Sequence, residues 1–103
     1  MLLRDRTAVV DLVSTTLSGL TEVRGGARPL LKTLHVYFNS GGNSAETARL
    51  LHLSVRAVSY RLERVRQAIG LDPLDGQVRF TLQAAVLGAL LLDWPDAPPP
   101  TAS

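Results

Sequence analysis

The chain has 103 residues, which is enough for one domain with a modest hydrophobic core. Hydrophobic residues make up 46% of the sequence and aromatic residues only 5%, so the core must consist mainly of Leu, Val and Ala side chains. The absence of cysteine excludes a disulfide framework and thiolate metal sites, and it fits a protein of the reducing cytoplasm.

Positive charge is concentrated in the middle of the chain. The formal net charge is only +2, but residues 24–66 contain eight basic and two acidic side chains and so carry +6, whereas the remainder carries −4. A basic segment between acidic flanks favours a polyanionic partner on one face. The longest uncharged apolar run, residues 80–92, is shorter than the roughly 20 residues of a membrane-spanning helix. We expect no membrane partner, and no secretory signal is visible.

The first predicted element is an amphipathic helix from about Arg6 to Leu20, because Val9 and Val13 begin an apolar stripe at helical spacing. Gly25-Gly26 interrupts the pattern and predicts a flexible loop. Residues 1–27 are therefore interpreted as an N-terminal helix followed by a glycine-rich loop.

A second helix is predicted from about Arg28 to Asn39, where Pro29 suits the first turn. The two glycines that follow, Gly41 and Gly42, indicate positive φ at the end of this helix. A phosphate-cradling loop is the alternative, but the Lys-Ser/Thr of a P-loop does not follow them.

The chain is organised around residues 43–70, which are interpreted as two helices joined by a very short turn. Asn43 can cap the first helix, with Glu46 completing a capping box, and His52-Leu53 forms the turn. Ser54 can cap the second helix, which ends at Gly70. A short helix, a tight turn and a longer basic helix predict a helix-turn-helix that reads DNA.

The second of these helices has an apolar and a polar face. At about 100° per residue, one stripe that should face the core is formed by Val58, Leu62, Val65 and Ile69. Its exposed N-terminal turns offer four candidate base-reading residues: Arg56, Ala57, Ser59 and Tyr60. An arginine can donate two hydrogen bonds to guanine, and a tyrosine can contact a phosphate or stack on a base edge. The alternative is an ordinary solvated helix face.

A second set of side chains is expected to contact phosphates, which positions a protein without reading sequence. Its members are Ser44, Thr47, Arg49, Ser54, Arg61 and Arg64. Solvation of the first helical turn is an equal alternative for Ser44, and pairing with Asp72 is an alternative for Arg61. His52 is expected to form a hydrogen bond in the turn rather than a phosphate contact.

The remaining sequence predicts a stop, a last helix and a tail. Gly70-Leu71 indicates a Schellman motif, and Asp75 can cap a helix from about Gly76 to Leu92. This helix is apolar nearly all round, so it either fills the centre of the domain or meets another chain. Residues 93–103 contain four prolines and predict a disordered tail.

No pattern of residues indicates catalysis or metal binding. His35 has no cysteine or carboxylate at ligand spacing, Ser14-Thr15-Thr16 lacks a base partner, and no carboxylate pair lies on an apolar background. We therefore expect neither enzyme activity nor a metal ion nor a cofactor.

Several segments together resemble a known family. They are Leu31-x-x-Leu34-x-x-Tyr37, Gly41-Gly42-Asn43, Thr47-Ala48-Arg49-x-Leu51-His52, Val58-x-Tyr60-Arg61-Leu62-x-Arg64 and Gly70-Leu71-Asp72, followed by the apolar last helix. From about Leu30 to Leu92 the chain is similar to the C-terminal helix-turn-helix domain of PucR/CdaR-type bacterial transcriptional regulators. It departs from that pattern at residues 54–57, where the family usually has His-Arg-Asn-Thr, and at Ser59, where an arginine is usual.

The resemblance implies an all-α fold of about five helices, with the helix-turn-helix in residues 28–92. It also implies sequence-specific binding of double-stranded DNA as the output domain of a bacterial transcriptional regulator, with sensory regions linked to it in a longer protein. We expect a homodimer, or a domain dimerised by a longer parent protein, because one unit covers few base pairs. The last helix and the Val9–Leu20 helix are the candidate dimer surfaces. The alternative, favoured by the divergent residues 54–59, is a helical protein-interaction or dimerisation module with weak or lost DNA binding.

Overall fold

The computed structural model describes residues 6–95, which form five α-helices and one short 3₁₀ helix. The α-helices are α1 (Arg6–Leu17), α2 (Arg28–Asn39), α3 (Ser44–Leu51), α4 (Val55–Ile69) and α5 (Gly76–Leu92), and the 3₁₀ helix is Ser18–Glu22. No strand occurs in this part of the chain, so the predicted all-α fold is confirmed. Nor does any of these helices have the length and apolar character needed to cross a membrane.

The first helix ends earlier than predicted. It stops at Leu17, and residues 18–22 tighten into the 3₁₀ helix. The reason is a close approach to α4: a Cβ atom built at Gly19 would lie 2.2 Å from the carbonyl oxygen of Ala68. Leu20 still reaches the core and is fully buried.

All five helices contribute to one hydrophobic core. Its fully buried large side chains are Val13, Leu17, Leu20, Leu34, Val58, Leu62, Val65, Leu82 and Val86. Helix α1 packs on α5, where a Cβ atom at Gly88 would lie 3.0 Å from Val9 Cγ1 and 3.1 Å from Val13 Cγ2. The apolar stripe of α1 is therefore used inside the protomer, which contradicts its prediction as a dimer surface.

The start of α3 is capped by two residues instead of a capping box. As predicted, Asn43 Oδ1 accepts a hydrogen bond from the backbone N–H of Glu46, at 2.9 Å. The prediction of a reciprocal bond from the Asn43 N–H to the Glu46 carboxylate is wrong, because that carboxylate accepts from Arg49 Nε instead. The Asn43 N–H donates to Ser40 Oγ at 3.2 Å.

The turn between α3 and α4 is a Schellman motif with a non-glycine residue at its left-handed position. His52 has φ 58°, its backbone N–H donates to Arg49, and the N–H of Leu53 donates to Ala48 at 2.9 Å. The turn hydrogen bond predicted for His52 is thus made by its backbone. Leu53, which follows His52, is partly buried and packs on the core.

The end of α4 differs in detail from the prediction. Gly70 is left-handed, with φ 77°, and its N–H donates to Arg66 in a single 5→1 bond. This is the simpler αL stop instead of the predicted Schellman motif. Leu71 packs on the core, as expected.

The last helix has the predicted bounds but is buried on one face only. Asp75 caps it by accepting from the N–H of Gln77 at 2.9 Å. Its opposite face leaves large apolar side chains in solvent, among them Phe80 (82% exposed) and Leu91 (86%). Trp94 packs against the core, so the folded structure extends beyond residue 93, where the tail was predicted to begin. Residues 96–103 of that predicted tail lie outside the described residues.

Candidate nucleic-acid interface

The N-terminal half of α4 presents three of the four predicted base-reading side chains to solvent. Arg56, Ser59 and Tyr60 are exposed, while Val58 between them is completely buried. Ala57 is half-buried at the flank of the helix that faces α2, so it lies at the edge of this surface. The first turn is fixed by Ser54, whose Oγ accepts from the N–H of Ala57 at 3.0 Å.

The helix-turn-helix is held by polar contacts behind it, and these correct one prediction. Thr47 is completely buried. Its hydroxyl donates to the carbonyl oxygen of Asn43 at 2.8 Å and lies 3.1 Å from Ser40 Oγ. A phosphate contact by Thr47 is therefore wrong, because the side chain has no access to solvent; it supports the start of α3. Ser44 is half-exposed and Ser54 is exposed, as a phosphate contact requires.

Arg64 and Tyr60 form one unit on the surface of α4. Arg64 Nη1 donates to Tyr60 Oη at 2.8 Å, and the guanidinium carbon lies 5.6 Å from the centroid of the tyrosine ring. The ring is 60% exposed. Since the two side chains are neighbours on consecutive turns, each restricts the rotamers of the other, and both are directed to the same side of the helix.

Arg61 reaches from α4 to α2. Its Nη1 donates to Thr33 Oγ1 at 3.2 Å and lies 3.5 Å from the carbonyl oxygen of Pro29. Thr33 is completely buried, and its own hydroxyl donates to Pro29. The alternative pairing of Arg61 with Asp72 is wrong: the guanidinium is bound to neutral oxygens on another helix.

The basic side chains of the helix-turn-helix fall into two groups. Arg49 is paired with Glu46 at 2.6 Å, and Arg66 is paired with Glu63. Hydrogen bonds from these arginines hold the pKa of Glu46 and the pKa of Glu63 below their ordinary value. Arg49, a predicted phosphate contact, is thus paired within its own helix.

The second group has no carboxylate partner among the described residues. Among the described residues, Arg61 and Arg64 bind only neutral oxygen atoms, and neither they nor Arg56 form an ion pair with a carboxylate. Exposed positive charge therefore remains around the N-terminal half of α4, where it can attract a polyanion.

A further arginine, which the motif-based prediction did not select, lies beside this group. Arg24, in the loop before α2, lines one cleft together with Arg61, Arg64 and Tyr60. The only sequence signal for it was its inclusion in the basic segment of the chain. Its position depends on the fold of the loop, which no local motif reveals. No cluster of residues that could hold a metal ion occurs between residues 6 and 95.

Comparisons with known proteins agree with this architecture. Residues 30–87 match the family model of the PucR C-terminal helix-turn-helix domain. No curated protein and no solved structure matches the chain. The matched segment extends from α2 into α5 and comprises more than half of the chain, so the family resemblance is confirmed. The chain therefore belongs to the family of the PucR C-terminal helix-turn-helix domain.

Proposed function

We propose that this protein binds specific sequences of double-stranded DNA and acts as the output domain of a bacterial transcriptional regulator. The observation that carries the proposal is the exposed N-terminal half of α4, where Arg56, Ser59 and Tyr60 project from a capped helix. Beside them lie arginines that pair with no carboxylate of residues 6–95. A helix with these properties fits the major groove of DNA. Membership of the helix-turn-helix family supports the same conclusion.

The roles within this interface follow from exposure and bonding. We assign base contacts to Arg56, Ser59 and Tyr60, with Ala57 at their edge. Phosphate contacts are assigned first to Arg61 and Arg64, and then to Ser44, which is half-exposed, and Ser54, which is exposed. Arg49 joins them only if its exposed pair with Glu46 opens, and solvent screens such a surface pair.

The test is a binding titration by fluorescence polarisation, with duplexes selected from a random pool and measured over a series of salt concentrations. Affinity should fall steeply as salt rises, because phosphate contacts release counterions. Arg64→Ala should weaken all duplexes alike, whereas Arg56→Ala should also relax the base preference. Arg6→Ala, an exposed cation on α1, is the charge-matched control. If Arg56→Ala weakened every duplex equally, the base-reading role of Arg56 would be wrong.

We further propose that the protein acts as a homodimer through the exposed face of α5. Phe80, Ala84, Leu87 and Leu91 recur at intervals of four, three and four residues, as at a helix–helix interface. Such a strip exposes only a few hundred Å², whereas a stable interface buries about 800 Å² per partner. The free protein should therefore dimerise weakly, and a duplex with two half-sites one helical turn (about 34 Å) apart should stabilise the dimer. Dimerisation by a longer parent protein is the alternative.

The dimer proposal is tested by sedimentation at increasing protein concentration, alone and with a two-site duplex. Leu91→Glu should abolish self-association and the cooperative binding of the second site. It should leave binding to a single half-site unchanged, because Leu91 is 86% exposed and lies outside the core. A wild-type protein that stays strictly monomeric at high concentration and binds two half-sites independently would contradict the proposal.

As an output domain, the protein would work in the bacterial cytoplasm, connected to sensory regions and without catalytic activity of its own. The second candidate function is a protein-interaction module that has lost DNA binding. The exposed apolar face of α5 favours it, as do residues 54–59, which depart from the family pattern. Failure of the protein to bind any duplex at low salt would favour this second function.

A further inference from the structure

A small cleft lies on the flank of α4 that faces the first turn of α2. It has a volume of about 250 Å³. Three arginines line it: Arg24 from the loop that follows the 3₁₀ helix, and Arg61 and Arg64 from α4. Tyr60, the aromatic residue of α4, is 60% exposed and lies at the same cleft. The cleft therefore adjoins the surface to which base contacts are assigned.

Two of these arginines are already fixed in place. Arg61 donates to Thr33 and Arg64 donates to Tyr60. Each guanidinium carries five N–H donors, so both have donors left for a ligand. The bonds that hold them end on neutral oxygens, and within residues 6–95 no carboxylate pairs with any of the three arginines. The cleft thus collects three positive charges without a counter-charge of its own.

Arg24 reaches the cleft because of the loop that carries it. Gly25 and Gly26 have φ of 93° and 84°, a conformation that side chains rarely adopt, and the N–H of Gly26 donates to the carbonyl oxygen of Val23 at 2.9 Å. This tight reversal places Arg24 beside α4 although it precedes the family match, which begins at residue 30.

We propose that Arg24, Arg61 and Arg64 together form one binding site for a backbone phosphate of the bound DNA, with Arg24 as a phosphate contact supplied from outside the family domain. A phosphate fits because it is a compact anion whose oxygens accept hydrogen bonds from several guanidinium groups at once. The site rests on the proposed function, since it places the phosphate next to the bases that α4 would read.

The first test is Arg24→Gln in the full chain, titrated with the selected duplex and with an unrelated duplex over a salt series. Affinity should fall by the same factor for both duplexes, roughly 3- to 10-fold, and the slope of log affinity against log salt should become shallower by up to about 1. Arg6→Gln removes the same charge from α1 and should leave the slope unchanged. Because Arg24 is an exposed loop residue, the variant should fold normally, which its melting temperature will show.

The second test asks whether the arginines share one phosphate. In a double-mutant cycle, the effect of Arg24→Gln with Arg64→Gln should differ from the product of the single effects by more than about twofold, because both residues bind the same group. Arg24→Gln with Arg56→Ala should give the simple product, since Arg56 does not line the cleft. If the combined effect on affinity equalled the product of the single effects in both cycles, the shared site would be wrong.

The outcomes of these tests distinguish failure of the phosphate site from failure of the proposed function. If the wild-type protein binds DNA and Arg24→Gln has the same affinity and salt slope, the phosphate site is wrong and the proposed function stands. Wild-type protein that binds no duplex would overturn both. A loss confined to the selected duplex would also overturn the inference, because a phosphate contact carries no base preference.

Discussion

Three glycines provide a graded test of how closely the helices approach one another. Gly19 lies against the backbone of α4, and an added Cβ atom would be 2.2 Å from the carbonyl oxygen of Ala68. Real Cβ atoms essentially never come closer than 3.0 Å to another atom, so the two backbones would have to move apart by at least 0.8 Å. At Gly88 the added atom would meet only the methyl groups of Val9 and Val13, at 3.0 and 3.1 Å. At Gly76 it would meet nothing within 4 Å.

The expected effects follow from these distances. Overpacking typically destabilises by about 1–3 kcal/mol, and the rigid backbone at Gly19 places Gly19→Ala at the upper end. Replacing glycine by alanine regains about 0.4–1 kcal/mol through the unfolded chain. The net loss for Gly19→Ala is therefore about 2 kcal/mol, which lowers the melting temperature by roughly 8–16 °C. Gly88→Ala should lose about 1 kcal/mol, because side chains can adjust, and Gly76→Ala should gain a few tenths of a kcal/mol.

The assay is urea unfolding of the three variants and the wild type, followed by circular dichroism. The slope of the unfolding free energy against urea concentration should be the same for all variants. An equal slope indicates that the same amount of surface is exposed on unfolding. If Gly19→Ala were as stable as Gly76→Ala to within about 0.5 kcal/mol, the close contact between the 3₁₀ helix and α4 would be refuted.

Three further predictions concern the helix-turn-helix itself. His52→Gly should raise the free energy of unfolding by about 1 kcal/mol, because the left-handed conformation strains a residue with a Cβ atom, and a changed single-site DNA affinity would contradict a purely structural role for His52. Thr33→Val should weaken binding to all duplexes in polarisation titrations, because Arg61 loses the hydroxyl that holds it; unchanged affinity would show that this bond is dispensable. Stability contributed by the lowered pKa values of Glu46 and Glu63 is present above their ordinary value of 4.5 and is lost as pH falls through the lower folded pKa. In acid titrations of stability, Glu46→Gln with Glu63→Gln should flatten this decline, and an unchanged decline would assign it to other groups.

The sequence predicted the helices best where their ends depend on local chemistry. The bounds of α2 and α5 agree with the prediction because their starts depend on nearby residues. Pro29 lies in the first turn of α2, and Asp75 caps the first turn of α5. The end of α1 was missed because Gly19 acts through α4, nearly 50 positions away along the chain. No local pattern contains such a contact.

The same distinction applies to the candidate site. The exposure of Arg56, Ser59 and Tyr60 followed from helical periodicity. Thr47 was placed on the surface wrongly, because a threonine hydroxyl suits a phosphate and a buried backbone carbonyl equally well, and the fold decides between them. The bond from Arg61 to α2 spans 28 positions and depends on tertiary packing, so only the structure reveals which arginines are paired with a carboxylate and which are not.

The sharing of one core by α1 and the family domain has a practical consequence for truncation. Val13, Leu17 and Leu20 are completely buried, yet they precede the family match at residue 30. A fragment cut at the family boundary would lose these three side chains, and each large-to-small loss in a core costs about 2–5 kcal/mol. That sum is comparable to the whole stability of a small domain, about 5–15 kcal/mol. We therefore expect the smallest unit that folds to be larger than the unit that the family comparison recognises.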